Sequence, residues 1–129
     1  MTRNLLWDIR FLVLLLFLIL AFHAFALYYH WYWTLWWLDI PMHLAGGFLV
    51  GASYLWYLKI RDKALGGLLM FSGVVLTVGL LWESHEFLYD LYFKHSTFMI
   101  STLAGRFDTL KDLADDLLGG VLAYVWLKD

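Results

Sequence analysis

Eight of the eleven acidic residues fall into three stretches with helical spacing: Asp39; Glu83, Glu86 and Asp90; Asp108, Asp112, Asp115 and Asp116. Residues three, four or seven apart share one face of a helix. Asp39 with His43, Glu83 with Glu86 and Asp90, and Asp108 with Asp112 and Asp115 therefore each form a polar stripe, and Asp116 stands one step round. Carboxylates gathered from three helices cannot all ionise side by side, so they share protons or hold cations. Oxygen ligands alone suit Mg, Ca or Mn, and a histidine among them admits Zn or Fe. The metal-ligand set read from these spacings is Asp39, His43, Glu83, Glu86, Asp108, Asp112, Asp115 and Asp116, with a divalent metal ion as the implied cofactor. Glu86 and His43 are the groups placed to act as a general base.

Each residue also has a plainer reading. Asp39 before Ile40-Pro41 suits a helix N-cap, and Asp108 and Asp112 suit the positive end of a helix. Asp90 fits a solvated position near the headgroups, and His85 an interfacial one. Glu83, Glu86, Asp115 and Asp116 resist such readings because their flanking sequence is membrane-like. His23 and His30 are seven apart, which predicts a shared helix face, with His23 about 10 Å deeper. They are the candidates for a proton path leading from the acids. Recognised hydrolase signatures are absent: His85-Glu86 continues as Phe-Leu-Tyr, not HExxH, and there is no Gly-x-Ser-x-Gly elbow.

These groups need elements to position them, and composition says which. The 129 residues are 63% hydrophobic and 16% charged, more apolar than a small soluble domain can bury. The absence of Cys excludes a disulfide-stapled domain, and a formal net charge of -2 excludes a basic nucleic-acid binder. The expectation is one all-α transmembrane domain over residues 1–129, a four-helix bundle with helices near 8–30, 40–59, 65–92 and 109–127. A short interfacial segment within Lys94–Leu110 precedes the last helix.

On this topology all three acidic stretches lie at one end of the bundle, where only Lys94, Arg106 and Lys111 oppose eight carboxylates. Arg3, Arg10, Lys59, Arg61, Lys63 and Lys128 lie at the other end. The excess of Lys and Arg predicts cytoplasmic N- and C-termini and an external acidic site. Arg3, Arg10 and Ala24-Phe25-Ala26 imitate a cleavable signal, but the apolar run continues through Leu27-Tyr28-Tyr29, which predicts a retained helix. The aromatic cluster from Tyr28 to Trp37 reads as an interfacial belt, and Gly46, Gly47, Gly51, Gly79, Gly119, Gly120 and Ala123 permit close helix packing.

Asp39-Ile-Pro-Met-His43-Leu-Ala-Gly-Gly47, Glu83-Ser-His-Glu86 and Asp108-Thr-Leu-Lys-Asp112 followed by Gly119 resemble, in that order, the blocks of the YjdF-like inner-membrane family, a relative of the VanZ-like proteins. The sequence departs from that pattern in Leu44, where Phe is usual, and in the shortened Gly105-Arg106-Phe107-Asp108. It also has four expected helices where relatives often have five or six. The resemblance implies a polytopic bacterial inner-membrane protein and gives no reaction; VanZ-like proteins are associated with glycopeptide-antibiotic resistance.

Three functions follow as expectations. The first is cation binding at the external acidic site, extending to metal-dependent chemistry on a lipid or polyprenyl phosphate. The second is proton or cation transport as a channel or carrier subunit. The third is a structural or assembly role, in which the acids bond among themselves or pair with the Arg and Lys of a membrane-protein partner or a second copy within the lipid bilayer.

Overall fold

The computed structural model describes residues 9–60 and 66–127, all within an α-helical chain with no strand among the described residues. Arg3, Arg61, Lys63, Lys128 and the expected helix starts at 8 and 65 lie outside the described residues. The helices are α1 Ile9–Tyr28, α2 Trp31–Thr34, α3 Asp39–Ile60, α4 Leu68–Phe93, α5 Phe98–Ser101 and α6 Leu103–Leu127.

A run of Leu, Ile, Phe and Val from Phe11 to Leu20, continued by Ala, Phe and Leu around His23, makes α1, since a backbone in an apolar medium must satisfy its own hydrogen bonds. It stops at Tyr28, and His30 takes a left-handed conformation with φ 58°. That reversal starts the single turn α2 and defeats the shared face expected of His23 and His30. His30 is exposed with its ring 5.2 Å from that of Trp33, whereas Tyr32 folds back onto His23.

Asp39 is the first residue of α3, and Pro41 sits in its first turn, where the missing N–H costs no intrahelical bond. Gly66 and Gly67 have φ of 70° and 91°, a region glycine enters without a Cβ clash, and they lead into α4. The interfacial segment expected within Lys94–Leu110 contains the helical turn α5, and α6 begins at Leu103, ahead of the expected start at 109.

The central pair is α3 and α6. A Cβ on Gly47 would strike the backbone of Asp116, and one on Gly119 would strike Leu44 and Phe48, so both glycines are needed for the approach. Away from the acidic end, Leu12, Ala52, Leu55, Phe71, Val75, Ala123 and Leu127 form the apolar core. Phe71 and Val75 occupy the space left by Gly51 and Gly120. In lipid such fitting holds helices together through van der Waals contact rather than through escape from water.

The outer surface is apolar. Val13, Phe17 and Phe25 of α1, Leu69 and Leu81 of α4, and Val125 and Trp126 of α6 are exposed. Two helices, Ile9–Tyr28 and Leu68–Phe93, are long and apolar enough to cross a membrane. The other two long helices carry the polar load: α6 holds Arg106, Lys111 and four aspartates, and α3 holds Asp39, His43 and three glycines.

Candidate functional site

His43 is the centre of the acidic end. It lies one turn into α3 beyond Asp39, facing α6 and α4, and is 4% exposed. Its Nδ1 donates to Asp116 Oδ1 at 3.2 Å. That bond fixes the ring and turns Nε2 towards three carboxylates: Asp39 Oδ1 at 3.6 Å, Glu83 Oε1 at 3.7 Å and Asp112 Oδ2 at 3.9 Å. These separations are too long for hydrogen bonds. They come within a few tenths of an ångström of the roughly 3.3–3.6 Å between ligand atoms around a tetrahedral zinc.

Each acid arrives there for a local reason. Asp112 and Asp116 are four apart on α6, so both face α3 across the glycine contact. Asp116 fits because Gly79 of α4 has no side chain; a Cβ there would meet its carboxylate. Glu83 follows Gly79 by one turn of α4 and is 4% exposed. Neither of its oxygens makes a well-formed hydrogen bond, the Thr109 hydroxyl of α6 lying only close enough to act on the carboxylate, and Asp116 Oδ2 is likewise buried and unbonded. Buried polar atoms without partners are rare and costly, more so when they carry charge.

Glu86, one turn beyond Glu83, is half-buried, and its Oε1 accepts from Trp82 Nε1 at 3.0 Å. The possible ligand atoms of Asp39, His43 and Asp112 lie within 4.8 Å of one another, as do those of His43, Glu83 and Glu86. Five of the eight expected ligands therefore converge on one volume. Asp116 backs His43 from the other side. Asp108 lies on the exposed rim, and Asp115 is turned to Lys111 at 3.9 Å rather than to His43.

Two cavities meet at this cluster. A wider one of about 510 Å³ is lined by Trp33, Trp36, Tyr89 and Lys94 together with Glu83 and Asp112. A smaller one of about 170 Å³ runs between Leu16 and Leu20 of α1, Val50 of α3 and Val75 of α4. His23, Tyr32, Asp39 and Glu86 line both. Tyr32 Oη and His23 Nδ1 lie 2.7 Å apart, within hydrogen-bond distance. Burial first, then the charges of Asp39 and Glu86, push the Tyr32 hydroxyl well above the usual tyrosine range, so it keeps its proton.

A family model described as a predicted membrane protein (DUF2238) matches residues 8–128. The chain belongs to the DUF2238 family. No curated protein and no solved structure matches it. The DUF2238 match covers all four long helices, so the buried His/Asp/Glu cluster lies inside the family's domain.

Several residues of this DUF2238 chain fall outside the expected set. Asp90 pairs with Lys94 at 2.6 Å, and the exposed His85 ring lies 5.4 Å from Trp82. Three residues have a part in the site that their sequence context does not predict. Tyr32 sits within an aromatic run that signals only an interface, and Gly79 looks like any small packing residue. Lys111 carried the one available clue, its adjacency to Asp112 and its four-residue distance from Asp115.

Proposed function

We propose that this protein spans the bilayer four times, through α1, α3, α4 and α6, and binds a divalent metal ion at His43 near the external face. The observation that carries the reading is Glu83. Its carboxylate is buried, makes no well-formed hydrogen bond and faces the Nε2 of a histidine whose other nitrogen is held by Asp116. A carboxylate behind a ligating histidine is the usual second-shell arrangement of metal sites. His43 and Glu83 would ligate, with Glu86, Asp39 and Asp112 within reach. The mixed nitrogen and oxygen donors suit zinc, manganese or iron.

A metal in such a site polarises a bound oxygen or lowers the pKa of water. The chain's own part in that chemistry would be Glu86, which lines the wider cavity and is oriented by Trp82. It is the general-base candidate for a lipid or polyprenyl phosphate. The excess of Lys and Arg at the opposite end of the bundle supports cytoplasmic termini and a cell-membrane location. Likeness to YjdF-like and VanZ-like proteins rests on the three sequence blocks.

The test is metal analysis of the full chain purified in detergent. One zinc, manganese or iron per chain, lost in Glu83→Gln and His43→Gln, is the expected result. A folded wild-type protein that takes up none of these ions from any of the three salts overturns it. A second reading, passage of protons or cations, is favoured by the two cavities meeting at His23, Tyr32, Asp39 and Glu86. Flux into liposomes that depends on His23 would support it.

A further inference from the structure

The ammonium nitrogen of Lys111 sits among four carboxylates: Asp112 Oδ1 at 2.5 Å, Asp39 Oδ2 at 3.3 Å, Asp108 Oδ1 at 3.7 Å and Asp115 Oδ2 at 3.9 Å. A surface lysine usually holds one acid loosely, and that pair contributes little. Here a single nitrogen collects oxygens from both α3 and α6. Asp115 Oδ2 is buried and accepts no hydrogen bond, so this positive charge is what it faces.

Asp39 and Asp112 divide their oxygens between two neighbours. Oδ2 of Asp39 and Oδ1 of Asp112 face Lys111, while Oδ1 of Asp39 and Oδ2 of Asp112 face His43 Nε2. Carboxylates whose two oxygens serve two adjacent positions at once have the layout that bridges a pair of cations.

We infer that Lys111 is a tethered cation: its ammonium fills an all-oxygen position suited to a hard divalent ion, beside the His43 position. Four carboxylate oxygens with no nitrogen or sulfur are the donors of calcium or magnesium. A lysine in their midst neutralises them without any supply of ions, and limits the cluster to one free metal position. Lys111 is also 40% exposed at its side chain, so the position it fills is open to ions arriving from water. The inference shares Asp39 and Asp112 with the metal site proposed above but does not require that site to be filled.

Titration of the full chain in detergent micelles with calcium alone, followed by calorimetry and by melting temperature, tests it. Lys111→Met is expected to bind one more calcium per chain than wild type, and calcium raises its melting temperature. Lys111→Arg, which keeps the charge, behaves as wild type. The extra calcium is lost when Asp108→Asn and Asp115→Asn are added, and survives Glu83→Gln. Lys111→Met that is folded yet binds no more calcium than wild type overturns the inference. Should Lys111→Met fold poorly alone, Lys111→Gln prepared in calcium replaces it, and failure of calcium to restore either variant is equally fatal. Wild type that binds no transition metal defeats the His43 reading and leaves this result standing.

Discussion

The Nδ1 of His43 and the Oδ1 of Asp116 meet at 3.2 Å across 73 positions of sequence, one on α3 and the other on α6. The bond exists only because Gly47 and Gly119 bring those helices together and Gly79 leaves room for the carboxylate. It leaves Nε2 facing three other acids. Without the bond the ring could turn, and its aim would be lost.

Asp116→Asn therefore tests orientation apart from ligation. An outer-shell partner of a ligating histidine is worth about 10–100-fold in metal affinity. Zinc or manganese affinity by calorimetry should fall by that factor while the number of ions per chain stays the same. Unchanged affinity would mean Asp116 does not position the ring.

Glu83→Gln should separate function from stability. Burying an unpaired polar group costs on the order of 1–3 kcal/mol, and more when it is charged. In metal-free protein the amide should melt higher than wild type, although it has lost its metal. A lower melting temperature would assign Glu83 a structural partner instead.

Acid should release the metal. Ligation needs a neutral His43 ring and ionised carboxylates, so protons and the ion compete for the same atoms. Metal occupancy should fall as pH is lowered, and binding should release protons, measured by calorimetry in buffers of different ionisation enthalpy. Binding with no proton release and no pH dependence would contradict ligation by His43.

Gly47→Ala places a methyl group against the Asp116 backbone. Overpacking of this kind costs about 1–3 kcal/mol. The melting temperature should drop, and metal affinity with it, because the same contact sets the distance from His43 to α6. Loss of stability with intact affinity would show that the site tolerates a wider helix gap.

Topology has a direct check, since the chain contains no cysteine. A single Cys in place of Thr97, just before α5, should react with an impermeant reagent from outside intact cells. Reaction only after lysis would put the acidic end in the cytoplasm.

Helical spacing of Asp39 with His43, Glu83 with Glu86 and Asp112 with Asp116 was legible in the chain, because neighbours on one helix face are fixed by 3.6 residues per turn. The apolar runs likewise required helices, since nothing else satisfies the backbone in lipid. Helix ends were less legible: the turn at His30 is set by a left-handed backbone, and α6 starts at Leu103, just after Thr102, whose hydroxyl accepts from the Gly105 N–H at 2.9 Å.

Sequence alone determined that this is an apolar helical chain with its acids gathered in three stretches, because composition and periodicity are local properties. Only tertiary structure decided which oxygen faces which nitrogen. Four acids and His43 converge, Asp116 backs the ring, Asp108 remains on the rim, and Lys111 lies among Asp39, Asp108, Asp112 and Asp115. That choice depends on the distance and rotation between α3, α4 and α6, which contacts between residues far apart in the chain impose.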